Sequence, residues 1–120
     1  MPANILMHAP QTVEDTLSPQ ERKIVEYHRK NIRDKTFGRD EAGRPVTVYS
    51  TGILVPEGPN KGKFVSVPGF FDGRIHNEEE SYKKWKREID AGKWPMYSSG
   101  DELNQRSRDI HSIMDMEGDF

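Results

Sequence analysis

Apolar and polar residues alternate with the period of an α-helix in three segments of the chain. Each segment opens with a capping residue and a glutamate three positions later: Ser18 with Glu21, Asn77 with Glu80, and Ser99 with Glu102. The pattern predicts helices from Ser18 to about Arg33, from Asn77 to about Gly92, and from Ser99 to about Met114. The predicted inner faces are Ile24, Val25, Tyr27, His28 and Ile32; then Tyr82, Trp85 and Ile89; then Leu103, Ser107, Ile110, Ile113 and Met114.

β-Branched and aromatic residues occupy the region between the first two helices. Val46 to Val55 is predicted to form a strand, and Phe64 to Val67 returns as a second strand after a loop rich in proline and glycine. Asp72-Gly73 is a strong signal for a tight turn, after which Arg74 to His76 continues as a short strand. A glycine at position 52 suggests a bulge within the first strand.

These elements predict an α+β fold, in which a small antiparallel meander of about three short strands packs with two to three helices. Residues 1–17 show no regular period and are interpreted as an extended N-terminal arm. Residues 18–114 form the single α+β domain, and residues 115–120 are predicted to be a frayed C-terminal tail.

Composition narrows the classes of function. Apolar residues make up 32% of the 120 residues and charged residues another 32%. A thin core with many charges is typical either of a partly disordered chain or of one that is completed by burial against partners. A net charge of −2 disfavours non-specific DNA binding, which depends on a basic excess. The chain has no cysteine, no secretion signal at its start and no apolar run long enough for a membrane helix. A soluble protein is therefore expected.

No arrangement of residues typical of catalysis or metal binding is found. The four histidines, at positions 8, 28, 76 and 111, form no H-x-x-x-H or H-E-x-x-H pair. No serine stands in a G-x-S-x-G elbow, and no phosphate-binding glycine loop is present. Glu78, Glu79 and Glu80 suit the first turn of a helix, where the dipole favours negative charge. We therefore predict no enzyme activity, no metal and no cofactor.

Large apolar residues outside the helices are the candidate partner contacts. Phe70, Phe71 and Trp94 lie in predicted turns or loops, where such residues either pin helices to a sheet or remain exposed for a partner. The arm adds the apolar cluster Ile5, Leu6 and Met7.

A second candidate is a basic patch in the middle helix. Lys83, Lys84, Lys86 and Arg87 surround Trp85, a combination found in nucleic-acid-binding surfaces. Helical spacing places Trp85 on the buried stripe, however, so stacking of a base on its ring is not expected.

From Lys63 to His111 the order of features resembles a small module of structural and virion-associated proteins of tailed bacteriophages. The residues that carry the resemblance are FVSVPGFFDGRIH, NEEESYKKWKREIDAG, KWPMYSS and GDELNQRSRDIH, and SPQERKIVEYHRKN with GRPVTVYSTG is similar to short members. In that family the module occurs as a separate protein or as an appendage on larger internal-virion or lytic proteins. The resemblance supplies no catalytic residue.

Two functions are compatible with the sequence. The first is a non-enzymatic component of a tailed-phage virion, in the capsid, connector or tail, that is assembled in the host cytoplasm. It would be present in several copies and would dock onto other virion proteins. The alternative is a phage-encoded nucleic-acid or host-factor binding protein that acts in the infected cell, as suggested by the basic patch.

Overall fold

Three α-helices carry most of the regular structure in a computed structural model that describes residues 13–117 of the chain. Helix α1 spans Pro19–Asp34, α2 spans Glu78–Asp90, and α3 spans Gly100–Met116.

The predicted caps begin these helices. The Ser18 hydroxyl accepts a hydrogen bond from the Glu21 N–H at 3.0 Å, and the Ser18 N–H donates to the Glu21 carboxylate at 2.8 Å. Asn77 and Glu80 form the same reciprocal pair at the start of α2. Ser99 caps α3 by its hydroxyl alone. Each cap satisfies backbone donors that have no partner inside the helix.

Seven short strands form three antiparallel sheets within the described residues. They are β1 (Gly38–Arg39), β2 (Pro45–Val46), β3 (Ser50–Leu54), β4 (Phe64–Pro68), β5 (Phe70–Phe71), β6 (Arg74–Ile75) and β7 (Met96–Tyr97). The main sheet has the order β3-β4-β7, while β1 pairs with β2 and β5 pairs with β6.

The predicted α+β class is confirmed, but the strands are more numerous and pair differently from the expected meander. The segment after the Asp72-Gly73 turn pairs only with β5, and β7 supplies the third strand of the main sheet. The backbone N–H of Ser66 donates to the carbonyl of Pro95 at 3.0 Å and extends the pairing of β4 with the segment that leads into β7. The pairing joins segments far apart in sequence, which local patterns do not reveal.

The predicted strand from Val46 to Val55 is interrupted at Tyr49, whose φ is +49°. The Gly69 N–H donates to the carbonyls of both Val48 and Tyr49, at 3.0 and 2.8 Å, and holds this kink. The chain thus turns between β2 and β3. The expected bulge at position 52 is absent, because that glycine lies in regular register opposite Ser66.

The core surrounds β4, whose central residues Val65, Ser66 and Val67 are buried. Side chains from all three helices and from β3 complete it. The cluster comprises Leu17, Ile24, Val25, Val48, Ile53, Val55, Val65, Val67, Trp85, Ile89, Trp94, Ile110, Ile113 and Met114. It contains part of each predicted helix face together with strand residues, whereas Ile32 and Ser107 of those faces are only partly buried. Burial of the cluster is the main stabilising contribution.

A buried ionic cluster joins α1, β7 and α3. The Glu21 carboxylate accepts hydrogen bonds from the Tyr97 hydroxyl at 2.7 Å and from the Arg106 guanidinium at 2.9 and 3.0 Å, besides its bond from Ser18. Burial alone raises the pKa of Glu21, but the bonds from Arg106, Ser18 and Tyr97 outweigh it and lower the pKa to about 2. Burial and the neighbouring carboxylate raise the pKa of Tyr97, which remains a donor.

The domain extends beyond both predicted boundaries. A 3-10 turn at Glu14–Thr16 leads into Leu17, which is buried, so the expected arm ends before position 17. Helix α3 continues to Met116, and Glu117 hydrogen-bonds Arg29 at 2.8 Å, so the expected tail does not begin at 115. Arg29 also bonds Glu14 at 2.8 Å. The Arg29 guanidinium therefore holds both ends of the described range against α1. Residues 1–12 and 118–120 lie outside that range.

Candidate functional site

An aromatic cleft opens beside the turn between β5 and β6. Its volume is about 580 Å³. It is lined by Tyr27, Asn31, Thr36, Phe37, Phe70, Phe71, Asp72, Gly73, Lys84 and Trp85. The lining combines α1, the segment after α1, the β5–β6 turn and α2, so that several separate parts of the chain meet there.

Local backbone chemistry fixes the position of the turn. Asp72 and Gly73 have φ values of +52° and +81°, as the two central residues of a type I′ turn require. The Tyr27 hydroxyl donates to the carbonyl of Phe70 at 2.6 Å and ties the turn to α1. The Trp85 indole donates to the carbonyl of Pro68 at 2.7 Å and ties the same region to α2. These two hydrogen bonds therefore hold the backbone beside the cleft in place.

Aromatic rings pack in a continuous group at one side of the cleft. The ring of Phe71 stacks on His76 with centroids 3.7 Å apart and an interplanar angle of 2°. It also meets the edge of Trp85 at 6.0 Å, and Tyr27 meets Trp85 at 6.1 Å. The Lys84 ammonium lies 5.4 Å from the ring centroids of both Phe71 and Trp85. A cation at this distance is attracted to the ring faces.

The structure separates the predicted aromatic contacts. Phe70 and Trp94 are buried, so the prediction of these two as partner contacts is wrong; Trp94 belongs to the hydrophobic core, and the ring of Phe70 lies beside Gly38. Trp94 meets Trp85 at 5.1 Å, and Lys23 lies over its ring at 4.2 Å. Phe71 remains partly exposed at the cleft and is the one of the three that keeps accessible surface. Ile5, Leu6 and Met7 lie outside the described residues.

The predicted basic patch is not a uniform basic surface. Lys83 pairs with Glu79 at 3.8 Å. Lys86 lies between Glu57 at 3.6 Å and Asp90 at 3.2 Å. The four cations project around α2, because a residue advances by about 100° per position on a helix.

Arg87 is exposed on the same helix, and Lys84 faces the aromatic rings of the cleft. Trp85 is 9% exposed, which confirms that it belongs to the core. The patch therefore presents carboxylates among its cations and no accessible ring of Trp85 for a base.

Tyr27 and Phe37 belong to the cleft but were not among the sequence candidates. Tyr27 was predicted to lie on the buried stripe of α1, yet its hydroxyl needs a hydrogen-bond partner, and this places it at the edge of the core. Phe37 follows the left-handed residue Lys35 that ends α1. An aromatic residue directly after a helix end is the sequence signal that could have identified it.

His76 contributes to this site through both its backbone and its ring. Its backbone N–H donates to the carbonyl of Gly69 at 2.7 Å, while the imidazole stacks on Phe71. The Nδ1 atom is buried without a hydrogen-bond partner within residues 13–117. Over the same range no group of three histidine, cysteine, aspartate or glutamate residues could hold a metal ion.

What the cleft offers chemically is a fixed apolar surface with one cation, Lys84, and one carboxylate, Asp72, in its lining. Such a surface suits an apolar or aromatic side chain carried by another protein. Among the described helices none is long and apolar enough to cross a membrane.

Comparison of the chain with protein-family models, with curated proteins and with solved structures finds no match in any of the three.

Proposed function

We propose that this protein is a non-enzymatic assembly component that docks onto other proteins through the aromatic cleft. The observation that carries the proposal is the position of Phe71, partly exposed and held rigidly between His76, Trp85 and the Lys84 cation. Aromatic anchors that lose little conformational freedom are favoured at protein interfaces.

The backbone beside the cleft is held in place, and this supports a role in docking. The hydrogen bonds from Tyr27 and Trp85 to the carbonyls of Phe70 and Pro68 satisfy buried polar groups and hold the turn in place. A partner would meet a surface that is already arranged for binding, so that association orders few side chains.

The charge distribution favours a protein partner over a nucleic acid. The carboxylates of Glu57, Glu79 and Asp90 lie beside the cations of the basic patch and would repel phosphates. Phosphate neutralisation also requires a basic excess, and the chain carries a net charge of −2.

The proposed setting is the virion of a tailed bacteriophage. This part of the proposal rests on the sequence resemblance from Lys63 to His111, a range that includes Phe71 and helix α2. The protein would be present in several copies and would contact capsid, connector or tail proteins.

Quantitative mass spectrometry of purified particles tests this setting. We expect the protein to be present at a fixed number of copies per particle. Its absence from particles would contradict the virion setting. A salt-sensitive shift of DNA or RNA in a gel, together with that absence, would favour the alternative role in the infected cell.

The cleft itself is tested by a matched pair of charge reversals on α2. Lys84→Glu replaces the cation beside the aromatic rings, whereas Lys83→Glu changes a neighbouring exposed residue that pairs with Glu79. We expect Lys84→Glu to reduce incorporation into particles at least tenfold, and Lys83→Glu to leave it unchanged. Equal incorporation of both variants, with normal folding by circular dichroism, would exclude the cleft as the docking surface.

A further inference from the structure

The edge strand β3 is the second surface that could receive a partner. We infer that its unpaired edge binds the N-terminal segment of a second copy of this chain as an added β-strand. The inference deepens the proposed function and rests on it, since it identifies how copies of an assembly component would join.

The hydrogen-bond pattern identifies which backbone groups point outward. The Val55 N–H donates to the carbonyl of Lys63 at 2.9 Å, and the Val55 carbonyl accepts from the Gly62 N–H at 3.0 Å. Inward and outward direction alternate along a strand. The backbone N–H and C=O groups of Thr51 and Ile53 therefore point towards β4.

The alternate residues of β3, namely Ser50, Gly52 and Leu54, direct their N–H and C=O groups away from β4. No strand within residues 13–117 pairs with this side, because β3 ends the sheet order. An edge of this kind is a template for another strand.

The strand lacks the usual features that prevent edge pairing. Its sequence, STGIL, contains no charge and no proline. Leu54 is 55% exposed, and Tyr49, which precedes the strand, is 50% exposed. Gly52 is also exposed and allows close approach of another backbone.

Two clefts lie beside this strand and could take the side chains of an incoming one. One, of about 370 Å³, lies between β3 and the start of α2 and includes Ser50 and His76. The other, of about 400 Å³, lies between β3 and α3 and includes Phe64 and Leu103. The two faces of a strand alternate, so its side chains would enter the two clefts in turn.

Unsatisfied polar atoms lie in the first of these clefts. The Ser50 hydroxyl and His76 Nδ1 are buried and have no hydrogen-bond partner within residues 13–117. A buried polar group without a partner is destabilising. A polar side chain on the added strand that reached either atom would supply the missing partner.

The N-terminal sequence fits this edge in length and charge. Residues 3–9, ANILMHA, form a proline-free segment between Pro2 and Pro10, long enough to cover the five residues of β3. The segment contains no acidic or basic residue apart from His8, so it meets the uncharged edge without repulsion. The described range begins at Val13, a residue that is 42% exposed.

The test uses the full chain and two single variants. Leu6→Pro disables the donor segment, because proline removes an N–H and does not fit within a paired strand. Leu54→Lys disables the acceptor edge by adding a charge at an exposed position. Met116→Lys is the control, since it makes the same kind of change at a site that is 88% exposed and far from β3 in sequence.

Sedimentation equilibrium over a range of concentrations gives the result. We expect the native chain to self-associate, Leu6→Pro and Leu54→Lys to weaken the association at least tenfold, and Met116→Lys to have no effect. A mixture of Leu6→Pro and Leu54→Lys should form a 1:1 complex, because one chain keeps the acceptor and the other keeps the donor.

Other outcomes overturn the inference. A monomeric native chain whose Gly52 and Leu54 amides are protected from hydrogen exchange only when Leu6 is present would show that the segment binds within its own chain. A monomer with unprotected amides would show that this segment does not bind the edge. In either case, presence of the protein in particles would leave the proposed function standing.

Discussion

A single carboxylate, that of Glu21, gathers donors from three parts of the chain. Ser18 lies at the start of α1, Tyr97 in β7 and Arg106 in α3. The side chain of Glu21 is only 5% exposed, so the ionised form depends on these bonds. The residue that begins the first helix thereby also positions the last strand and the last helix.

The lowered pKa of Glu21 predicts an acid-dependent loss of stability. Its pKa is about 2 in the folded chain against 4.5 ordinarily, so its contribution is complete above pH 4.5 and is lost as the pH falls from 4.5 towards 2. The difference corresponds to roughly 3 kcal/mol at neutral pH. Urea unfolding of the native chain and Glu21→Gln should show a gap of this order at pH 7 that narrows below pH 4.5.

Glu79→Gln serves as the control for this series, since Glu79 is exposed and pairs with the exposed Lys83. It should change the free energy of unfolding by less than about 0.5 kcal/mol. A gap between the native chain and Glu21→Gln that does not depend on pH would contradict the role assigned to the carboxylate.

Substitution by alanine is expected to destabilise the fold more at Gly69 than at Gly52. A Cβ atom at Gly69 would clash with the Thr51 hydroxyl and would lie 2.8 Å from the Tyr49 carbonyl, which is backbone held in the kink. At Gly52 it would lie 2.9 Å from the end of the Leu103 side chain, which can rotate away. Gly69→Ala should therefore destabilise the fold by more than about 2 kcal/mol, and Gly52→Ala by about 1 kcal/mol.

Thermal unfolding of both variants measures this difference. Leu103→Ala should reduce the cost of Gly52→Ala in the double variant, because the contacting methyl group is gone. Equal costs at the two glycines would show that the kink at Tyr49 can shift as easily as a side chain.

At the scale of elements, the helix caps and the tight turn could be predicted from the sequence, whereas the pairing of distant strands could not. The caps at Ser18, Asn77 and Ser99 and the turn at Asp72-Gly73 depend on residues within four positions, and all are confirmed. The union of β4 with β7 joins residues about thirty positions apart, and no local pattern encodes it.

The difference between local and long-range contacts also explains which of the predicted site residues lie at the cleft surface and which are buried. Phe71 and Lys84 were among the sequence candidates, but burial decided which aromatic residues could contact a partner. Phe70 and Trp94 differ from Phe71 only in what the rest of the chain places over them. The kink at Tyr49 was missed because a positive φ at an aromatic residue is imposed by its neighbours and not by its own preference.

The cap of α2 gives a test at this scale. Asn77→Ala should lower the free energy of unfolding by about 1 kcal/mol, because it removes the side-chain acceptor for the Glu80 N–H, while the backbone N–H of residue 77 can still donate to the Glu80 carboxylate. Asn104→Ala, at an exposed position inside α3, is the matched control and should be neutral or slightly stabilising. Chemical denaturation of both variants would refute the capping role if the two losses were equal.

Across the whole molecule, Arg29 holds the two ends of the described chain against α1. It bonds Glu14 in the 3-10 turn and Glu117 after α3, each at 2.8 Å. The side chain of Arg29 is 34% exposed, so salt and solvent weaken these pairs. The network is therefore expected to order the ends more than it stabilises the core.

Arg29→Met should accordingly raise amide hydrogen exchange in residues 13–17 and 112–117 several-fold, while the free energy of unfolding falls by only about 1 kcal/mol. Arg33→Met is the control, since Arg33 is 70% exposed and lies 3.8 Å from Asp34. Unchanged exchange at both ends would mean that packing of Leu17 and Met114 alone secures them.

The central position of β4 has a consequence for synthesis of the protein. The strand is synthesised before its second neighbour, β7, and before the helix that carries Arg106, which follow it by roughly 30 to 50 residues. At about 5–20 residues per second, the ribosome needs roughly 3–10 seconds to add them after β4. During that interval Val65 and Val67 lack their full covering, so the main sheet and its core are expected to form completely only after α3 has been synthesised.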